Sequence, residues 1–190
     1  MKIGIYGGSF NPPHYGHFLF AESCIKNKLV DLVIFVPTGD DYQKASLAPA
    51  IDRLQMVKKM VSGVASMEVS DYEVRNGKKY TYETLEHFQK KYPGDSFFLL
   101  MGSDNLKEFF TWKKPDWIFK HATLLVSNRD GMDGSAYTKE YPFLPIQFVS
   151  FSLPPISSTM IRKKMKSQES CVSFLSPSVL LYIKEHGLYQ

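Results

Sequence analysis

Cysteine is scarce in this chain of 190 residues, with only Cys24 and Cys171 present. Two cysteines so far apart make neither a disulfide framework nor a metal site, and they read as free thiols in a reducing compartment. Long apolar runs are missing too: no stretch approaches the roughly 18 uncharged residues that a membrane span needs. The opening Met1-Lys2-Ile3-Gly4-Ile5-Tyr6-Gly7-Gly8 runs straight into glycines, without the longer apolar core of a secretory signal. A cytoplasmic protein is expected. Neither sign of charge dominates, since 23 Lys and Arg against 19 Asp and Glu leave a net +4. That excess suits a small anionic partner and is too weak to argue for nucleic acid. No repeat, low-complexity tract or long linker interrupts the chain, so residues 1–190 are expected to form one domain. The apolar share of 44% and charged share of 22% are those of an ordinary globular protein.

What is present alternates short apolar runs with longer amphipathic ones. Lys2 to Tyr6, Leu32 to Val36, Phe97 to Met101, Thr123 to Val126 and Ile146 to Val149 read as strands. Tyr15 to Lys28, Pro49 to Met60, Thr81 to Tyr92, Ser158 to Met165 and Pro177 to Glu185 read as helices, with short helices through Phe109 and Phe119. In the second helix Ile51, Leu54 and Val57–Met60 are expected to face inward. Met67 to Val74 is expected to be extended, and Gly187 to close the last helix. Trp117, Phe119, Phe97 and Phe98 read as core, and His87, His121 and His186 as surface residues without a role. Strands apolar throughout, alternating with helices, predict an α/β fold: a doubly wound parallel sheet, Rossmann-like, with a C-terminal helical segment. Ligands in such folds bind beyond the carboxyl ends of the strands. This singles out residues 7–17, 37–44, 102–105 and 150–162.

The first of these segments is Gly7-Gly8-Ser9-Phe10-Asn11-Pro12-Pro13-His14-Tyr15-Gly16-His17. Gly7 and Gly8 let the backbone approach a ligand, and the prolines stiffen the entry to a helix. His14 and His17 are three apart, on one face of a first helical turn that already attracts anions. Two imidazoles there can donate to a polyphosphate. No Gly-Lys-Ser or Gly-Lys-Thr follows the glycines and no G-x-G-x-x-G is present, so neither the Walker nor the dinucleotide pattern applies. The second segment is Ile156-Ser157-Ser158-Thr159-Met160-Ile161-Arg162, after Pro154-Pro155. Three hydroxyls at a helix start, with Arg162 one turn in, make a second candidate phosphate cradle.

Together the two segments resemble the nucleotidyltransferase family, which combines a strand, His-x-Gly-His and a late Ser-Ser/Thr-Thr-x-Ile-Arg helix. A narrower resemblance runs between them. Tyr80-Thr81-Tyr82-Glu83-Thr84-Leu85 is similar to the Ser-Tyr-Thr-x-Asp-Thr-Leu segment of bacterial nicotinate-nucleotide adenylyltransferases. Gly102-Ser103-Asp104-Asn105 with Trp112 resembles their Gly-Ala-Asp and Trp, Arg129-Asp130-Gly131 their Arg-Pro-Gly, and Phe174 through Tyr189 their tail. The chain departs from them at Gly39-Asp40-Asp41-Tyr42-Gln43-Lys44, where they carry Pro-Pro-His-Lys and only Lys44 is kept. Ser9 replaces a commoner threonine, Asn11 a commoner aspartate, and Lys79 the serine before Tyr80.

The resemblance implies ATP-dependent adenylyl transfer to nicotinate mononucleotide. ATP would lie on Gly7, Gly8, Ser9, Phe10, Gly102, Asp104, Ser157, Ser158 and Thr159. The acceptor would lie on Asn11, Tyr80, Thr81, Thr84 and Trp112. His17 would stabilise charge on the α-phosphate with His14 beside it, while Lys44 and Arg162 neutralise pyrophosphate. Mg²⁺ is expected on the triphosphate itself, with no metal site in the protein. The implied partners are ATP and a pyridine mononucleotide, with no nucleic acid and no membrane, and a homo-oligomer is compatible with this. Three rivals stay open. They are a sister adenylyltransferase for nicotinamide mononucleotide or phosphopantetheine, a cytidylyltransferase, and a non-catalytic nucleotide sensor.

Overall fold

Strands built of Ile, Val, Leu and Phe without polar alternation must be covered on both faces, and that decides the architecture. The computed structural model describes residues 1–41, 46–127, 137, 139, 141–149 and 155–190. Six strands pair in parallel: β1 (Lys2–Gly8), β2 (Leu32–Pro37), β3 (Met67–Val69), β4 (Ser96–Gly102), β5 (Thr123–Ser127) and β6 (Ile146–Val149). Their spatial order is β3-β2-β1-β4-β5-β6, the doubly wound order, with its switch point between β1 and β4.

The helices are α1 (Tyr15–Lys26), α2 (Ala50–Val61), α3 (Tyr72–Asn76), α4 (Thr81–Lys91), α5 (Ser103–Glu108), α6 (Pro115–His121), α7 (Ser158–Lys166) and α8 (Pro177–Glu185). Alternate strand residues feed two cores. Tyr6, Val33, Phe35, Leu100 and Leu125 pack with α1, α2, α7 and α8. Ile3, Ile5, Ile34, Val36, Leu99 and Leu124 pack on the other face with α4, α5 and α6. No helix among the described residues is long and apolar enough to cross a membrane.

Several expectations are corrected. The extended stretch from Met67 ends at Val69, and α3 begins at Tyr72, whose amide donates to Ser70 Oγ at 3.2 Å. Asp71, Glu73 and Asn76 suit the ends of a short helix better than a strand interior. Ile51 lies outward and is 55% exposed, because the buried face of α2 runs through Ala50, Arg53, Leu54, Val57 and Met60. Trp117, Phe119 and Phe98 are only partly buried against the cores. Three histidines do find packing: His87 stacks on Tyr72, His121 on Trp117 and His186 on Tyr182, each with ring centroids 3.9 Å apart. At the end of α8, Gly187 takes φ +60 while the Gly187 and Leu188 amides donate back to the Lys184 and Ile183 carbonyls, a Schellman close.

Two buried ionisable groups hold the loops that leave the strands. Arg53 is fully buried. Its guanidinium donates to the Ala48 carbonyl at 2.8 Å, Ser9 carbonyl at 2.9 Å, Thr38 Oγ1 at 3.2 Å and Gly39 carbonyl at 3.2 Å. Asp40 pairs with it at 3.6 Å, and the same carboxylate oxygen accepts the Ala50 amide at 2.6 Å at the start of α2. Burial lowers the pKa of Arg53, and Asp40 opposes that shift. Glu73 is the second group: it accepts from Thr84 Oγ1 at 2.7 Å and so ties α3 to α4. Burial pushes its pKa up to about 7, with Thr84 acting in the opposite direction.

Arg53→Met strands four acceptors at once. It is expected to cost about 3 kcal/mol or more, read from urea unfolding, and a loss under about 0.5 kcal/mol would contradict the network. For Glu73 the folded pKa is raised, so its contribution to stability is complete below its ordinary value of 4.5 and fades as pH rises through about 7. Relative to Glu73→Gln, the wild-type melting temperature is therefore expected to fall by roughly 5 °C between pH 5 and pH 8. Parallel melting curves for the two proteins across that range would disprove it.

Candidate active site

The loop that leaves β1 is held from below by an aromatic ring. Phe10 takes φ +46, in the left-handed region that bulky residues rarely enter. Its ring is 2% exposed and meets Tyr6, Phe35 and His17 at centroid distances of 5.5, 5.7 and 5.0 Å. Phe10 can therefore face a ligand only through its backbone, beside Gly7, Gly8 and Ser9.

His14 ends this loop as the N-cap of α1. Its backbone N–H donates to His17 Nδ1 at 3.2 Å, and the two rings stack at 3.7 Å. A neutral His17 whose Nδ1 accepts that bond carries its proton on Nε2, so it is a ready hydrogen-bond donor. His14 is buried and His17 partly exposed, which puts His17 in front and His14 behind it. Gly16 leaves room for the His14 ring: a Cβ there would lie 3.0 Å from His14 Nδ1 and 3.1 Å from Cε1, so the ring would have to shift.

The late helix docks on that loop. Ser157 caps α7 by accepting the Met160 amide at 3.2 Å. Ser158 Oγ donates to the Pro12 carbonyl at 2.8 Å, and Arg162 donates to the Asn11 carbonyl at 2.8 Å and to Thr159 Oγ1 at 3.3 Å. The Tyr15 amide reaches the Phe174 carbonyl at 3.0 Å. The two segments singled out in the sequence as candidate phosphate cradles are thus brought together, at the carboxyl end of β1. Ser157 spends its side-chain oxygen on capping α7 and Ser158 on holding this junction, while Thr159 stays exposed and Arg162 partly so.

Asn11 was expected at the acceptor, but its side chain is turned inward and is 2% exposed. It donates to the Ser46 carbonyl at 2.9 Å and accepts from the Ala48 amide at 3.0 Å and Tyr189 Oη at 2.7 Å. Thr84 is buried, with its hydroxyl given to Glu73. The Asn11 side chain braces neighbouring loop segments and the Thr84 hydroxyl ties α4 to α3. Lys44 lies outside the described residues, as do Arg129, Asp130 and Gly131.

Beyond β4, Gly102 is the N-cap residue of α5 and Asp104 is exposed in its first turn. Tyr80 caps α4, is 47% exposed and lies parallel to Tyr82 with centroids 6.2 Å apart. Thr81 follows at the first helical position. Trp112 is half-buried, tilted on Phe109 at 5.2 Å. Among the described residues no group of three or more His, Cys, Asp or Glu side chains is placed to hold a metal ion.

Sequence reasoning did not single out Arg53, Glu73 or Tyr189. Arg53 carried a readable signal, since it falls on the apolar stripe of its own helix. Tyr189, at φ +64, carried none, because its contact with Asn11 joins residues 178 positions apart.

Known proteins bear on this geometry. The cytidylyltransferase-like family profile matches residues 5–164. A protein named probable nicotinate-nucleotide adenylyltransferase from Desulfitobacterium hafniense (strain DSM 10664 / DCB-2) is 37% identical, over all of this chain and 96% of its own length. One of the same name from Neisseria meningitidis serogroup B is 35% identical, over all of this chain and 98% of its own. Among solved structures, Plasmodium falciparum nicotinic acid mononucleotide adenylyltransferase complexed with NaAD superposes with a TM-score of 0.83 at 20% identity, over 99% of this chain and 97% of that one. With a matching profile and full-length relatives, the chain belongs to the cytidylyltransferase-like family of nucleotidyltransferases, in its nicotinate-nucleotide adenylyltransferase branch.

Proposed function

We propose that this nucleotidyltransferase moves the adenylyl group of ATP onto nicotinate mononucleotide, giving nicotinate adenine dinucleotide and pyrophosphate. The observation that carries this reading is the junction of the α1 and α7 N-termini at Asn11–Pro12, with His17 Nε2–H and Arg162 beside it. Two helix starts and two side-chain donors suit a triphosphate. A phosphate oxygen of the acceptor attacks the α-phosphorus as the bond from that phosphorus to the bridging oxygen of the β-phosphate breaks. Pyrophosphate leaves with the bonding electrons, and no protein nucleophile takes part.

Catalysis is then alignment and charge stabilisation. His17 Nε2–H donates to the α-phosphate as its charge grows, and His14 holds the His17 ring. Arg162 and, by the resemblance, Lys44 neutralise the leaving group. Mg²⁺ enters with ATP as part of the substrate, held by phosphate and water. Gly102 and Asp104 receive the nucleoside of ATP, while Trp112, Tyr80 and Thr81 receive the pyridine nucleotide. Buried Cys24 and Cys171, both free, suit a reducing compartment such as the cytoplasm.

His17→Ala is expected to lower kcat roughly 100- to 1,000-fold while the KM for ATP changes little, measured in steady state. Unchanged turnover would end that role. Pyrophosphate release from ATP and Mg²⁺ is expected to favour nicotinate mononucleotide over nicotinamide mononucleotide and phosphopantetheine. Release with one of the other two alone would reassign the acceptor, and release with none would point to a nucleotide sensor.

A further inference from the structure

On α7, Thr159, Arg162, Lys163 and Lys166 fall at i, i+3, i+4 and i+7, so they share one face of the helix. With Ser46, Tyr189 and their neighbours they line a cleft of about 460 Å³. No Asp or Glu side chain lines this cleft among the described residues, and neither Lys163 nor Lys166 has an ion-pair partner among them. The neighbouring Lys164 differs: it points off the stripe and pairs with Glu169 at 2.5 Å. The cleft walls are fixed, because Asn11 holds Ser46 and Tyr189 while Arg162 is anchored on the Asn11 carbonyl. Arg162, Lys163 and Lys166 bring three positive charges to one wall, against at most the terminal carboxylate of Gln190, and such an excess is relieved by a compact polyanion.

We infer that this cleft is a pyrophosphate-binding pocket, contiguous with the reaction centre through Arg162, that receives inorganic pyrophosphate after transfer. The inference rests on the reading of the chain as a pyrophosphate-releasing transferase. Arg162 belongs to both places, so an anion leaving the α-phosphate has a continuous line of cations to follow. Lys163 and Lys166 would hold it just outside the reaction centre, a station on the way out in the forward direction and on the way in for the reverse one. The roles are electrostatic only, and no bond is made or broken in the pocket.

Calorimetric titration of the full chain with inorganic pyrophosphate tests this without turnover, so its failure is separable from failure of the transferase reading. In a Lys163→Ala, Lys166→Ala double variant the pyrophosphate dissociation constant is expected to rise about tenfold. In Lys164→Ala, which removes one charge off the cleft, it is expected to stay within about twofold of the wild type. The KM for pyrophosphate in the reverse reaction is expected to rise about tenfold in the double variant, with that for the dinucleotide within about twofold. An unchanged dissociation constant in the double variant, or an equal loss in Lys164→Ala, would overturn the assignment.

Discussion

A guanidinium shut away from solvent must have its hydrogen bonds met by the protein, or the fold loses several kcal/mol. Arg53 meets that demand with backbone oxygens from Ser9, Gly39 and Ala48 and with the Thr38 hydroxyl. These oxygens belong to the chain leaving β1, the chain leaving β2 and the approach to α2. None of those segments has regular structure to fix it, so the charge sets their mutual spacing. Asp40 closes the arrangement from the solvent side and caps α2, the helix that carries Arg53. The loops of the site are therefore pinned from within the fold, which leaves their outer faces available.

The outer faces are electropositive through backbone as much as through side chains. Amides at the start of α1 and α7 remain aimed at one region because Ser158 and Arg162 clamp the carbonyls of Pro12 and Asn11. Within α1, the bond from the His14 amide sets the His17 tautomer and the missing Cβ of Gly16 admits the His14 ring. The His-x-Gly-His spacing is thus a packing solution that delivers a donor on Nε2 in a fixed direction. Catalysis of the kind proposed needs this preorganisation more than it needs a reactive side chain.

Much of this was legible in the sequence. Apolar strands without alternation gave the sheet and its two covers, and β2 was placed to within one residue of its observed end at Pro37. The two segments proposed to cradle phosphate were visible because they are local: glycines after a strand, histidines one turn apart, hydroxyls at a helix start. Other features failed for physical reasons. Tyr72–Asn76 is too short to show a helical period, and Met67 to Val69 before it is extended. Ile51 was assigned inward by hydrophobicity, yet the buried place on that helix goes to Arg53. The resemblance put Asn11 and Thr84 at the acceptor. Their side chains turned out to be used by partners distant in sequence, namely Ser46, Ala48, Tyr189 and Glu73.

The bond from Tyr189 to Asn11 bears on how the protein comes into being as well as on how it works. On the ribosome, β1 and the Gly7–His17 loop emerge first, and β2 is available to pair with β1 soon afterwards. One of the loop's braces is missing until residue 189 has cleared the exit tunnel. Sheet and loop contacts are thus separated in time during synthesis, and a nascent chain can hold a largely built sheet before this last bond to the loop forms.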